Sequence, residues 1–531
     1  MRLPRRRWLS GAGALLLAGA TGARGAPEGT YRRGNDADPE TLDPHRSSTV
    51  AEAHILRDLY DGLLTYDNHG AIIPGAARAW HVSDDALTYT FMLREDGRWS
   101  NGDPVEAEAF VYSLRRILAP ETAAKYAEVL FPIRNAAAIN RGAMPATALG
   151  VAAPDPRTVT IALEAPTPYL LELLTHQTAL PVHRPSVERF GDGFTRPGNL
   201  VTNGPYALVD SVPNDRMVLG RNPHFHAAAE VAIPQVAFVP TPDLSSAVRR
   251  YDAGELDSLA DLPGDQMASL RRRFGDQVVL GPSLGLYALA VNTRKAPFDD
   301  VRVRRALSLA LDREYLAQAL WGGTMSPAYA LCPPGLDNYR TPPETEGRTR
   351  LPIDNEETAV RLLAEAGFGP GRPLRVEYRF NTSDNNRNTA VAVAEMWRGL
   401  GIETRFVYTD AKTHFAYLRD GGDFDVARMS WIADYSDPQN FLFLLATGND
   451  GMNPGHWSNA EYDALLAQAA AERDLTARAG LLYRAEALVM RDLPWIPVMH
   501  TRSKALISPR LHGYVPNLRN AAPTRFLRLV G

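Results

Sequence analysis

The segment 424–438 opens apolar and strand-like, sets Arg428 and Asp434 on either side of Trp431, and closes on the turn residues Ser436, Asp437 and Pro438. A guanidinium and a carboxylate on one extended or bent stretch can hold the two ends of a zwitterion, and a short peptide is such a molecule. Two other constellations carry candidate chemistry. Gly281, Ser283 and Gly285 spell G-x-S-x-G, the pattern of a hydrolase nucleophile elbow, which requires strand, turn and helix in succession. Residues 277–280 read as a strand, but residues 286–291 read as a second strand, and Pro282 before the serine fits a connecting turn. The expectation is a serine in a turn, not a nucleophile. His224 and His226 place two imidazoles on one face of an expected strand after the turn at Asn222 and Pro223, without a cluster of carboxylates or cysteines beside them. No metal and no other cofactor is expected.

The elements that must position these groups alternate between strand and helix. Apolar spacing predicts helices over 50–60, 107–118, 169–176, 245–253, 301–311, 358–366, 390–400 and 462–471. Thr49 with Glu52 gives the first of these a capping-box start. Strands are expected over 89–94, 158–163, 236–240, 287–291, 374–378 and 404–407. This alternation indicates an α/β protein with several sheets.

The chain has 531 residues, enough for about three domains. Its first 25 residues read as an export signal: a basic stretch at Arg5, Arg6 and Arg7, a mild apolar run over 11–20, and small residues at Gly25 and Ala26 for cleavage. The adjacent arginines before Trp8 and Leu9 point to the twin-arginine route. No cysteine stands near the cleavage site to carry a lipid, so a soluble periplasmic protein is expected. Removing residues 1–25 removes five arginines and no acids, and moves the formal net charge from −4 to −9. An acidic chain argues against nucleic-acid binding. The single cysteine, Cys332, excludes an internal disulfide and is expected to be buried and inert.

Five separate stretches resemble one family. They are Arg94 to Val105 continuing to Ser113; Asn199 to Tyr206; Val291 and Asn292 through Pro297 to Leu307, ending at Asp312 and Arg313; Leu362 to Gly367 with Asn381 to Asp384; and the 424–438 segment. In this order, and over essentially the whole chain after the signal, they are similar to the bacterial extracellular solute-binding proteins of family 5, receptors of ABC importers for peptides, nickel complexes and murein peptides. Trp431 to Tyr435 resembles the anchor of the oligopeptide-binding branch. The resemblance implies a periplasmic-binding-protein-like α/β fold, two lobes with a hinge plus an additional inserted domain. It implies a first domain assembled from 27–60, 186–286 and 502–531, a second inserted at 61–185, and a third over 287–501. It also implies a monomer that encloses short peptides by hinge closure and delivers them to an inner-membrane permease complex.

The resemblance assigns roles residue by residue. Asp434 is similar to the residue that takes the peptide ammonium, and Arg428 and Arg419 to the cations that meet the carboxylate. Ser430 and Ile432 are implied to offer backbone groups to an extended peptide, with Ser48 to Val50 pairing from the first domain. Tyr126 resembles a tyrosine that closes the amino end, Tyr287 falls where the family has a tyrosine cluster, and Trp431 is expected to wall a side-chain pocket. One departure is visible: a lysine of the family after Asp312 and Arg313 is absent, and Ala319, Leu320 and Trp321 fill that stretch. Preferred peptide length is therefore open. A specialised ligand (a murein peptide, a metal complex or haem) is the alternative, and a serine hydrolase using Ser283 a remote one.

Overall fold

The computed structural model describes residues 29–339, 341–449 and 451–531; the expected export signal lies outside them. Eleven strands of the described residues join one sheet. Its order runs Glu403–Thr409, Arg375–Asn381, Val426–Ile432, Val278–Val291, Trp495–Ile507, Ser258–Leu259, Thr30–Asn35, Gln235–Pro240, Arg216–Arg221 and Tyr206–Val212, with Met325–Pro327 paired to Trp495–Ile507. Two strands in this list are far longer than their neighbours: Val278–Val291 with 14 residues and Trp495–Ile507 with 13. They pair antiparallel along most of their length. One end of the pair bonds to Ser258–Leu259 and the other to Val426–Ile432, so these two strands carry the sheet from one lobe into the other.

This pair corrects the reading of residues 277–291 as two strands joined by a turn. The stretch is one strand, interrupted by register shifts between Pro282 and Leu286 and between Tyr287 and Ala288. Proline has no N–H for the ladder, and an irregularity absorbs the loss without ending the strand. Ser283 therefore sits within a strand that crosses between lobes, with no helix after it. His224 and His226 also differ from expectation. They lie in a turn, not on one strand face: His224 is exposed and His226 bonds Asp61 Oδ2 at 3.0 Å. Among the described residues no group of three or more His, Cys, Asp or Glu is placed to hold a metal ion.

Side chains cap several helix starts, some of them where the sequence predicted. Val50–Leu59 begins with Thr49 and Glu52 in a reciprocal capping box. Asp300 caps Val301–Leu309, and Ser383 caps Asp384–Gly399, which begins earlier than its apolar spacing indicated. The 18-residue helix Leu475–Asp492 was not anticipated. Its buried face mixes Leu482, Ala485 and Val489 with Arg478 and Glu486, which breaks the apolar period. Glu486 accepts the Cys332 N–H at 2.8 Å, and burial pushes its carboxyl up to about 7. Cys332 is fully buried, which raises its thiol pKa well above its ordinary value.

The apolar residues gather into separate cores. One draws only on residues between Leu63 and Ala179, around the antiparallel sheet Ala77–Val82, Thr88–Leu93, Thr158–Ala162 and Val151–Asp155. Two draw on residues between Leu284 and Met499, on opposite faces of the strands beside the 424–438 segment. Two more combine residues from Tyr31 to Tyr60, from Leu180 to Val278 and Leu280, and from Leu506 to Leu529. Side chains tie these units together. Arg519 pairs with both Glu172 and Asp337 and donates to the Gly70 carbonyl at 2.7 Å, and the Tyr169 and Tyr435 rings stack at 4.6 Å. No helix of the described residues is long and apolar enough to cross a membrane.

Candidate ligand-binding site

Strand Val426–Ile432 forms the floor of the site because one of its edges is only partly covered. On one side it pairs along its whole length with Val278–Val291, from Val426 opposite Val291 to Ile432 opposite Gly285. On the other, only Val426 and Ala427 pair, with Tyr378 and Arg379 of Arg375–Asn381. Ala433 donates its N–H to the Leu284 carbonyl at 2.8 Å. Backbone groups alternate along a strand, so Trp431 and Met429 also turn toward Val278–Val291, and Ser430 and Ile432 turn their N–H and C=O to the uncovered edge. His414 closes that edge at its far end: its Nε2–H donates to the Arg428 carbonyl at 2.9 Å. Burial holds His414 down at about 4, so the ring is neutral at physiological pH.

Arg428 shares a strand face with Ser430 and Ile432. Its Nη1 donates to Asn381 Oδ1 at 3.0 Å, and its guanidinium lies 4.9 Å from the Tyr287 ring and 5.6 Å from the Phe415 ring. No carboxylate of the described residues pairs with it. Tyr287, directly opposite Ser430, is 1% exposed, and burial raises its hydroxyl pKa against the pull of the Arg428 charge. Trp321 stands edge-on to Tyr287 at 6.1 Å and donates Nε1–H to Thr389 Oγ1, so an indole fills the neighbourhood where the family pattern would bring a lysine. Arg419 ends helix Ala411–Arg419, exposed and 3.8 Å from Asp420, and no contact joins it to Arg428.

Asp434 follows the strand end. It is exposed, but neighbouring protein partly desolvates its carboxyl. That desolvation, followed by the negative charge of Glu128, raises its carboxyl above the ordinary value. It makes no hydrogen bond or ion pair among the described residues. Burial raises the Tyr126 hydroxyl, and the charges of Asp434 and Glu128 raise it further, which places all three in one neighbourhood. Lys125, beside Tyr126, reaches Ser48 Oγ and Glu40 at 3.2 Å each. Ser48 is thus linked to the Tyr126 neighbourhood through Lys125, but its backbone differs from the expected pairing strand. The Ser48 N–H donates to Glu52 Oε2 at 2.8 Å, and Val50 is the first helical residue, with 60% of its surface exposed. Trp431 faces away from Arg428, donates Nε1–H to Asn440 Oδ1 at 2.8 Å and packs edge-on against Phe443.

Sequence reasoning missed His414, Asn381 and Glu128. Glu128 had a local signal, standing two positions after Tyr126. His414 and Asn381 reach Arg428 only through the packing of helix Ala411–Arg419 and strand Arg375–Asn381 against the site strand.

Comparison with known proteins agrees with this architecture. The family model for the middle part of bacterial extracellular solute-binding proteins, family 5, matches residues 71–453. The periplasmic oligopeptide-binding protein OppA of Escherichia coli (strain K12) is 37% identical over 494 residues, covering 92% of this chain and 90% of that one. The solved structure of MppA, a periplasmic murein tripeptide binding protein in its unliganded open form, superposes with a TM-score of 0.88 at 35% identity, covering 95% of this chain and 98% of that one. A second structure of the Escherichia coli murein tripeptide binding protein superposes less well, with a TM-score of 0.75 at 35% identity over 94% of this chain and 98% of that one. The fold is the two-lobed periplasmic-binding-protein type, and the chain belongs to the bacterial extracellular solute-binding proteins of family 5.

Proposed function

We propose that this protein is an extracytoplasmic receptor that encloses short oligopeptides and passes them to an inner-membrane ABC permease. One observation carries the reading: an uncovered strand edge bounded by an unpaired carboxylate at one end and a guanidinium without a carboxylate partner at the other. Asp434 takes the peptide ammonium and Arg428 the carboxylate, each through charge-assisted hydrogen bonds. Ser430 and Ile432 bond the peptide backbone, which makes recognition indifferent to side chains. Tyr126 closes the amino end, Tyr287 and Trp431 shape the walls, and Ser48 and Val50 contribute a carbonyl and a helix-start N–H from the opposite lobe. Arg419 is assigned no part, because it is exposed and beside Asp420.

The receptor is further proposed to divide into 27–60 with 186–286 and 502–531, an inserted 61–185, and 287–501. The separate cores support this division. Closure would bend the two long strands near the irregularity at Pro282 to Leu286. The stronger likeness to the unliganded open form supports reading the present arrangement as open. Export by the first 25 residues and action as a monomer in the periplasm complete the proposal. It includes no catalytic step.

Native mass spectrometry of protein purified from the periplasm tests the reading directly, with co-purified peptides expected and a carboxylate-free or amine-free ligand overturning it. Asp434→Asn should weaken tripeptide binding by about 2–4 kcal/mol, because a buried ammonium would lose its charged partner. Its thermal midpoint should be unchanged, since Asp434 makes no contact that holds the fold. Unaltered affinity would place the ammonium elsewhere.

A further inference from the structure

We infer that the protein carries a second ligand site, a pocket for a small organic carboxylate with an apolar body. The inference is independent of the peptide reading. The pocket lies where the core of residues 63–179 meets the core that holds Phe225 and Leu527. Its cavity measures about 370 Å³, the size of a small-molecule site, and shares no lining residue with the cleft of Asp434 and Arg428. The apolar lining comes from Ile73 and Pro74 on strand Ile72–Pro74, from Phe225, and from Phe526 on the turn Thr524–Phe526. Phe225 packs on the ring of His226 at 4.2 Å, and His226 Nε2 bonds Asp61 Oδ2 at 3.0 Å. These contacts hold that part of the lining in place.

Two arginines share this lining, and neither forms an ion pair among the described residues. Arg525 makes no hydrogen bond there either. Its guanidinium lies 4.6 Å from the Phe526 ring and 5.6 Å from the Phe225 ring, and its Nε is buried with no acceptor among the described residues. Ring contacts engage the face of a guanidinium and leave its in-plane N–H groups for an acceptor. A buried N–H without an acceptor is costly, and an anion entering the cavity would meet that demand. Arg94 donates Nε–H to the Gly75 carbonyl at 2.7 Å, which fixes the side chain and leaves its terminal nitrogens unused. The carboxylates nearby cancel neither charge. Asp61 is held by His226, and Glu230, also in the lining, is exposed and forms no ion pair among the described residues. A planar carboxylate matches the guanidinium fork, and an apolar body covers Ile73, Pro74 and the two phenylalanine rings, which a bare inorganic anion would leave in contact with water.

The test is calorimetry with three probes: 2-naphthoate, its uncharged amide, and inorganic phosphate. Naphthoate should bind wild-type protein with a Kd of about 1 mM or tighter, the affinity expected of a ligand of its size. The amide should bind at least about tenfold more weakly for want of the charge-assisted contact, and phosphate at least about tenfold more weakly for want of the apolar body. Arg525→Met and Arg94→Met should each weaken naphthoate, Arg525→Met by about tenfold or more. Arg428→Met should bind naphthoate as wild type does, which separates this pocket from the peptide cleft. Should Arg525→Met fold poorly, Arg94→Met and the two wild-type ligand comparisons decide alone. No naphthoate binding, an amide that binds equally well, or phosphate that binds equally well overturns the proposal. So does naphthoate binding that is lost in Arg428→Met, or that survives unchanged in both Arg525→Met and Arg94→Met.

Discussion

Asp434 and Asp437 lie on the same turn, yet one is left free and the other is locked into the core. Asp437 receives both terminal nitrogens of Arg478 at 2.8 Å, each side chain is 1% exposed, and the carboxylate also accepts the Gln439 N–H at 2.9 Å. Asp434 has no partner among the described residues and is exposed. The same contrast separates the arginines: Arg478 is matched by a carboxylate, whereas Arg428 rests on two aromatic rings and one amide oxygen. A buried charge without a partner is costly. The fold satisfies that demand at Asp437 by bringing in helix Leu475–Asp492, and leaves Arg428 without a carboxylate and the exposed Asp434 without a cation among the described residues. Residue type does not distinguish the paired acid from the free one; the presence of a distant partner does.

The comparison breaks most readily at its structural half. Arg478→Met leaves a buried carboxylate without its cation, and should lower the unfolding free energy by about 3–5 kcal/mol. Denaturant unfolding would show this as an earlier midpoint, while the folded protein should bind trialanine within about threefold of wild type, because Arg478 pairs with Asp437 and makes no bond to Asp434. Wild-type stability in Arg478→Met would mean that the pair is not what fixes the turn. A large loss of affinity in the folded variant would mean that the two aspartates are not separate in function.

Acid should affect the binding half through Asp434. Its carboxyl is raised in the unliganded protein by burial and by Glu128. An ammonium favours the ionised form and so lowers that pKa on binding. Affinity is therefore fully present above the raised value and declines as pH falls through it, by up to about tenfold per unit. The decline should begin above the range of an ordinary aspartate. Calorimetry from neutral pH downward should show it in wild type and not in Asp434→Asn. A flat wild-type profile would remove Asp434 from ammonium binding.

What the sequence made legible follows the range of the interactions. The capping box at Thr49 and Glu52 and the apolar face of Ala107–Leu118 are local, and both were readable. The two glycines and proline around Ser283 imitate a turn, whereas the partner strand Trp495–Ile507 holds them in a single strand through a register shift that no local pattern announces. Helix Leu475–Asp492 was hidden because two buried positions carry Arg478 and Glu486, whose partners Asp437 and Cys332 lie far away in sequence. In the site, the acid, the arginine and the strand between them are one short segment. The closure of its edge is not, because His414 reaches Arg428 only after helix Ala411–Arg419 packs against the sheet. Ser48 and Val50 stand at a helix start rather than in an extended pairing strand, since Glu52 draws that backbone into the start of the helix.

The smallest expected effect concerns Glu128, which sharpens the contrast between the free and the paired acid. Its carboxylate adds negative charge beside Asp434 without forming an ion pair among the described residues. In Glu128→Gln two readouts should move in opposite senses. Peptide affinity at neutral pH should fall, by about twofold to fivefold, because an exposed charge contributes little to holding an ammonium. The acid decline of affinity should meanwhile begin at lower pH, because Asp434 loses the neighbour that opposed its ionisation. A residue that only supported the loop would change neither the onset of the decline nor its dependence on Asp434. If the onset stays fixed in Glu128→Gln, burial alone raises Asp434, and the amino end of the site carries one functional carboxylate rather than two.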